Sequence, residues 1–291
     1  SLLIRLLILM SISKPKCVFS DLDGTLIHHY DEHDKQEKPD MISLIQFPPS
    51  KTGRCGVMSR KTLDLIEAIR GKGVKFVIVT GVRYSTFISR LPLLPFADAF
   101  CIENGGRIFY ASTDSKQNLT ENCLTEDLNW RSTFEEACGN FTENDSLSPH
   151  ERKGKLWDTY RKLDGQHFTI DTHTYFTMIR IKTSDDDYTT IKNEIQDKPL
   201  KSVTNFGYVD VLPLKSGKRN AAKYLCETLF KCSLNDCIGI GDDDNDIELL
   251  DSTKRGAFVT GLTSKSMEKF VSEHSNVRVS DKYGVYAAED V

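Results

Sequence analysis

Short apolar runs alternate with stretches of helical periodicity along most of this 291-residue chain. "KCVFSDLD" (16–23), "VKFVIVTG" (74–81), "ADAFCIENGG" (97–106), "CIGIGDDD" (237–244) and "RGAFVTG" (255–261) are rich in β-branched and aromatic residues, too short for helices, and bounded by Gly or Asp. Between them, "RKTLDLIEAIRGKG" (60–73), "YSTFISRLP" (84–92), "GKRNAAKYLCETLF" (217–230) and "DIELLDST" (246–253) space their apolar residues as amphipathic helices do. Strands that are apolar throughout must be covered on both faces. The pattern therefore predicts an α/β fold with a doubly wound, Rossmann-like parallel sheet. Ligands in such sheets bind at the carboxyl ends of the strands. Here those ends carry Asp21 and Asp23, then Thr80, then the acidic stretch from Asp242.

The alternation breaks between about residues 127 and 209. "WRSTFEEAC" and "GKLWDTYRKL" read as helices. "HFTIDTHTYFTMIRIKT" (167–183) reads as a strand pair with a turn near Thr172. "DDDYTTIKNEIQ" reads as a helix with an acidic start, and "KSVTNFGYVDVLP" as further strand material. This order predicts a compact α+β unit, 127–209, inserted between a first core part, 1–126, and a second, 210–291. A further stretch, 28–58, is long, polar at first and rich in turn residues. It leaves directly from the Asp21–Asp23 strand, which suits a flap beside the site as well as an ordinary surface loop. Its "HHYDEH" run fits no standard zinc spacing.

The most demanding segment is "DCIGIGDDDNDIELL" (236–250), with four carboxylates in five positions at a strand end. Two like charges about 4 Å apart repel by ~4 kcal/mol at an effective dielectric near 20. Asp21 and Asp23, two apart on one strand, approach the same sheet edge. Asp21, Asp23, Asp242 and Asp246 are therefore candidate metal-site residues. Hard oxygen ligands without His or Cys suit Mg²⁺. Asp243 and Asp244 are not assigned as ligands, since either could face only water. A divalent cation beside a carboxylate suits phosphoryl transfer, in which the carboxylate forms an aspartyl-phosphate. Thr80 and Gly81 offer a hydroxyl and backbone N–H groups to phosphate. Lys218, at a helix start, adds an ammonium, and Asn245 lies in the acidic loop.

Composition and charge narrow the remaining classes. A net charge of −4 gives no reason to expect a nucleic-acid partner. "SLLIRLLILM" is apolar for about ten residues, too short to span a bilayer. Eight cysteines without a Cys-x-x-Cys pair, several inside apolar runs, read as reduced thiols of an intracellular protein. The setting expected is the cytoplasm, or an organelle if the apolar start is a targeting remnant. Asn-x-Ser/Thr triplets at Asn118, Asn140 and Asn144 are the only features pointing to secretion.

Taken together, "DLDGTL", "VIVTG", the lysine of "SGKRNA" and "GDDDND" resemble, in order, the four motifs of haloacid dehalogenase superfamily phosphatases of the class IIB, Cof-type group. "ENGG" (103–106) resembles the element that precedes the inserted cap in that group. The resemblance implies that Asp21 attacks phosphorus and that Asp23 is general acid, then base. It also implies Mg²⁺ held by Asp21, the Asp23 carbonyl and Asp242, with Asn245 and Asp246 organising the loop. Thr80 and Lys218 would hold the phosphoryl group, and 127–209 would be the cap. The expected substrate is a small phosphorylated metabolite, a sugar phosphate, processed by a monomer or homodimer. Alternatives are a phosphomutase-like phosphoryl transferase and a non-catalytic binding protein. The superfamily's dehalogenases lack the second aspartate, which sets their chemistry aside. Two departures stand out. Arg83 in "TGVRYST" is displaced by one position from the usual Thr-Gly-Arg, and Lys215 competes with Lys218 as the motif lysine. Trp130, Trp157, His173, Tyr175 and Arg180 are candidate specificity residues, with core packing as the rival role.

Overall fold

The computed structural model describes residues 14–29, 43–49, 55–112, 119–205 and 207–291, apart from the side chains of Asp185 and Asp186. The apolar N-terminal segment, most of the 28–58 stretch, the Tyr30–His33 part of "HHYDEH" and Asn118 lie outside those residues.

An eight-stranded sheet forms the centre. Its strands are β1 (Cys17–Ser20), β5 (Lys75–Val79), β6 (Ala99–Ile102), β7 (Arg107–Ala111), β8 (Leu124–Glu126), β13 (Cys237–Gly241), β14 (Gly256–Val259) and β15 (Val277–Val279). The order is β15-β14-β13-β1-β5-β6-β7-β8. Pairing is parallel from β15 to β6 and antiparallel across β6-β7 and β7-β8. Successive residues of β5 explain the unbroken apolar run. Phe76 and Ile78 join Val18, Ile66, Phe87 and Phe100 on one face. Val77 and Val79 join Phe19, Ala221 and Leu225 on the other. Helices Arg60–Gly71 and Lys218–Leu225 thus cover opposite faces, as a doubly wound sheet requires. The Ser59 hydroxyl caps the first of these by accepting from the Lys61 N–H.

A second sheet has four antiparallel strands in the order β11-β12-β10-β9: β9 (Thr169–Asp171), β10 (Ile179–Lys182), β11 (Leu200–Asn205) and β12 (Tyr208–Pro213). The helices Lys155–Asp164 and Asp185–Ile195 accompany it. The sequence expectation of helix, strand pair, helix, strand pair matches this order. Strand β12 runs past residue 209 to Pro213, because its alternate residues Val209 and Val211 continue the buried face.

Two features differ from the sequence reading. Strands β7 and β8 add an antiparallel edge to the parallel sheet. In the 28–58 stretch, β2 (His28–His29), β4 (Gly56–Ser59) and β3 (Leu44–Gln46) pair as a small antiparallel sheet. Phe47 and Met58 anchor that sheet in the core, so its described part is packed structure rather than surface loop. All eight cysteines are free. Asn144 is buried and donates to the carbonyls of Cys138 and Lys153, which makes it a structural residue of its loop. Among the described residues no helix is long and apolar enough to cross a membrane.

Candidate active site

Register brings the strand-end residues together. Ser20 of β1 lies opposite Ile240 of β13 and Ile78 of β5. The next residues therefore emerge side by side, and the Asp21 N–H donates to the Ile240 carbonyl at 2.9 Å. Asp21, Thr80 and Asp242 all sit at this edge and all are buried. After Asp21 the chain turns sharply at Gly24, whose φ is +87°. A Cβ there would stand 2.1 Å from Asp242 Oδ2. Glycine is therefore required twice, for backbone conformation and for the approach of the Asp242 carboxylate.

Carboxylate oxygens of Asp21, Asp242 and Asp246 lie within 4.8 Å of one another. Against these three acids stands one buried cation. Lys218 Nζ donates to Asp21 Oδ1 and Asp246 Oδ1, both at 2.7 Å. Burial alone would depress the Lys218 ammonium, but Asp21 and Asp246 more than reverse this and raise it above the ordinary lysine range. Burial pushes the Asp21 carboxyl up to about 7, with Lys218 opposing and Asp246 adding to the rise. Burial, then the neighbouring Asp21 charge, pushes Asp242 well above the carboxylate range. Asp242 Oδ1 accepts from Thr25 Oγ1 at 3.0 Å, while the buried Oδ2 has no hydrogen-bond partner. Three buried carboxylates balanced by only one ammonium, with Asp242 Oδ2 unpartnered among their oxygens, form an oxygen donor set that fits a hard divalent cation.

The acids of the 242–246 loop divide their work. Asp246 Oδ2 accepts from the N–H groups of Asp242 and Asp243, and the Asp243–Asp246 pair forms a reciprocal capping box. Asp243 is buried and accepts from Thr263 Oγ1 at 2.9 Å. Asp244 accepts from the hydroxyls of Thr204 and Ser264. Both are thus tied to neighbouring loops by hydroxyl donors, and neither faces only water.

Asp23 is more open than Asp21. Both of its carboxylate oxygens accept from Arg90 Nη1, at 2.8 and 3.0 Å, and His29 Nε2 stands 3.6 Å away. Arg90, at the end of helix Tyr84–Arg90, is buried. Thr80 Oγ1 accepts from the Val82 N–H. A Cβ on Gly81 would lie 3.0 Å from both Asn104 Oδ1 and Asn205 Nδ2 and 3.2 Å from Arg180 Nη2. Asn245 Nδ2 donates to Asn104 Oδ1 at 3.0 Å, and Asn104 Nδ2 donates to Asp210 Oδ2 at 2.8 Å. Arg180 holds both Asp210 oxygens at 2.7 Å. A polar chain thus runs from the acidic loop through Asn104 to the four-stranded sheet. Glu103 makes a second link, accepting from the N–H groups of Phe176 and Thr177. Glu103 and Asn104 both have positive φ, at 54° and 53°, which turns the two side chains toward that sheet.

Of the two competing lysines, Lys218 reaches the acids and Lys215 is exposed. Arg83 points elsewhere, pairing with Asp171 and donating to the His173 carbonyl. Trp130, Trp157 and Tyr175 are buried packing residues, His173 is exposed, and Arg180 alone of the five named specificity candidates adjoins Gly81. Sequence reasoning gave no role to Thr25, Arg90, Asn104 or Asp210. Thr25 could have been found from "DLDGTL" and Asn104 from "ENGG". Arg90 and Asp210 carry no local signal.

A family model described as haloacid dehalogenase-like hydrolase matches residues 54–264. The chain belongs to this family. A curated Haemophilus influenzae protein, provisionally named a phosphatase, is 26% identical over 218 residues, covering 68% of this chain and 77% of the relative. Among solved structures, the sucrose-phosphatase of Synechocystis sp. PCC6803, in complex with sucrose and phosphate, superposes with a TM-score of 0.61 at 14% identity. That match covers 94% of this chain and 95% of the other. A subclass IIB sugar phosphatase of the same superfamily gives 0.52 at 14% identity, covering 91% and 93%. Both superpositions span more than nine-tenths of this chain, so the likeness is one of the whole fold.

Proposed function

We propose that this hydrolase is a Mg²⁺-dependent phosphatase that cleaves the phosphate monoester of a small hydroxylated metabolite, a sugar phosphate. One observation carries the reading. Asp21 is held 2.7 Å from the buried Lys218 ammonium, next to an Asp242 carboxylate oxygen with no hydrogen-bond partner.

Asp21, Asp242 and the Asp23 backbone carbonyl would hold the cation, with Asp246 behind them. When bound, Mg²⁺ neutralises phosphate oxygens so that a carboxylate can approach phosphorus. The remaining steps belong to side chains. An Asp21 oxygen attacks phosphorus, the bond to the leaving oxygen breaks, and Asp23 delivers its proton to that oxygen. Asp23, now a carboxylate, takes a proton from water as the water oxygen attacks the aspartyl-phosphate. Inorganic phosphate leaves and Asp21 is regenerated. Arg90 fixes the orientation of Asp23 throughout. The Thr80 hydroxyl, the Gly81 backbone, Lys218 and Asn245 hold the non-bridging phosphate oxygens.

In this reading the segment 127–209, continued to Pro213 by strand β12, is a cap over the site. A cavity of about 180 Å³ beside Lys218 is lined from that unit by Tyr188, Lys201, Ser202 and Thr204, and from the core by Asp244 and Glu248. Hydroxyls, carboxylates and an ammonium in one small cavity suit the hydroxyl groups of a sugar. The sucrose-phosphatase shares this fold, which agrees with the sugar-phosphate reading. A phosphate-release screen with Mg²⁺ over sugar phosphates, polyol phosphates, phosphoglycolate and nucleotides tests the proposal. Release from one or more sugar phosphates is expected. Isomer interconversion without free phosphate would replace it with a mutase, and no turnover of any compound would overturn it.

A further inference from the structure

The helix that begins with Lys218 ends against Cys226, and the strand that ends before Asp242 begins with Cys237. At these far ends, remote from the acidic pocket, three thiols converge. Cys226 Sγ is 3.7 Å and Cys232 Sγ 3.9 Å from Cys237 Sγ, and all three sulfurs lie within 4.8 Å of one another. A tetrahedral thiolate site with metal–sulfur bonds of about 2.3 Å has sulfur–sulfur edges of about 3.8 Å. The trio is therefore spaced as the face of such a site, whereas a disulfide needs sulfurs about 2.05 Å apart.

We propose that Cys226, Cys232 and Cys237 form a binding site for a thiophilic d¹⁰ cation, Zn²⁺ or Cu⁺, separate from the acidic pocket. Four features favour a site over incidental packing of small apolar side chains. The sulfurs come from three different segments: the end of a helix, the loop after it and the start of β13. The backbone brings Cys232 inward through Lys231, which has a φ of 51°. Cys226 and Cys237 are buried and Cys232 is partly exposed, so one ligand reaches solvent. A cavity of about 470 Å³ adjoins Cys226 and Cys232, lined also by Glu227 and Asp251 and by the basic residues Arg219, Lys223 and Lys254. It opens the thiols to solvent and leaves room for water as a fourth ligand to Zn²⁺. Cu⁺ needs only the three sulfurs. Soft sulfur donors exclude Mg²⁺, so the two sites would not compete for one ion. On loading, each thiol yields its proton to solvent and the hydrogen bond from Cys237 Sγ to the Ser233 carbonyl is lost.

The test uses the full chain, reduced and stripped with a chelator. It is titrated without oxygen with Co²⁺ as a reporter for Zn²⁺, and separately with Cu⁺ against a competing chelator. We expect thiolate-to-cobalt charge-transfer absorption that saturates at one equivalent, is displaced by Zn²⁺ if Zn²⁺ is the occupant, and persists in Asp242→Asn. Uptake of Cu⁺ with no response to Zn²⁺ would assign the site to Cu⁺. Cys232→Ser, at the partly exposed position, should keep its circular dichroism and weaken binding by about 100-fold. Absence of charge transfer together with no Cu⁺ uptake would overturn the proposal. So would binding unchanged in folded Cys232→Ser, or a disulfide between two of the three in place of metal uptake on admitting air.

Discussion

Replacing Gly24 by alanine separates backbone strain from damage to the acidic pocket, because Gly73 provides a matched control. Both glycines have positive φ, +87° and +76°. An alanine in that region costs roughly 1–2 kcal/mol on conformation alone. At Gly73 the nearest neighbour of a new Cβ is Lys14 Nζ at 3.4 Å, an ordinary contact with a flexible side chain. At Gly24 the Cβ would stand 2.1 Å from Asp242 Oδ2 and 2.6 Å from its Cγ. To regain ordinary contact the carboxylate must retreat by more than 1 Å, and a displacement of about 1 Å at a reacting centre costs on the order of 10²-fold in rate. Gly73→Ala should thus lower Tm by a few degrees and leave kcat/KM intact. Gly24→Ala should lower Tm by a similar amount, raise the Mg²⁺ concentration needed for half-maximal activity, and reduce kcat/KM by about 10²-fold. Thermal melts and phosphate release over a Mg²⁺ series measure both. A folded Gly24→Ala enzyme with wild-type turnover and Mg²⁺ dependence would refute the placement of Asp242 in the metal site.

Asp21→Asn should reduce turnover by at least about 10⁴-fold, measured as phosphate release, while its circular dichroism stays native, since Lys218 keeps Asp246 as a partner. Arg90→Gln should lower kcat by about 10–100-fold with little change in KM, and Arg90→Lys should recover part of it, because in the proposed mechanism Arg90 acts through its hydrogen bonds to Asp23. EDTA should silence the enzyme and Mg²⁺ restore it, with Ca²⁺ a poor substitute in the same assay because it prefers more ligands and looser geometry. Burial lowers the His28 imidazole from 6.5 to about 4, so between these values the unfolded chain binds the extra proton. The associated stability, roughly 3 kcal/mol, is complete above pH 6.5 and drains away as the pH falls toward 4. Denaturant melts across that range should show a shallower acid loss in His28→Gln than in the wild type.

What could be read from sequence depended on whether the determining contacts were local. Strands β1, β5, β6, β13 and β14 announced themselves because burial on both faces keeps them apolar, with Ser20 at the end of β1 and Lys75 at the start of β5 as the exceptions. Arg107–Ala111 and Leu124–Glu126 did not, because they break the strand–helix alternation: only residues 103–106 separate β7 from β6, and both strands pair antiparallel at the edge. The small sheet of the 28–58 stretch was hidden by its polar start, although Leu44, Phe47 and Met58 carried the apolar signal. Within the pocket, Asp21, Asp242 and Lys218 were identifiable because each sits directly at an element's end, where the sheet edge must gather them. Arg90 and Asp210 meet Asp23 and Asn104 only through contacts 67 and 106 residues apart. No periodicity or spacing encodes such pairs. The partners of Asp243 and Asp244 were hidden for the same reason, since their donors Thr263, Ser264 and Thr204 come from other loops.

The most direct test of the acidic pocket is crystallographic. Crystals of the wild type soaked in Mn²⁺, an anomalous scatterer with the oxygen preference of Mg²⁺, should give a single strong anomalous peak within bonding distance of carboxylate oxygens of both Asp21 and Asp242. A saturated crystal with no peak there, or with its peak away from those two residues, would contradict the account.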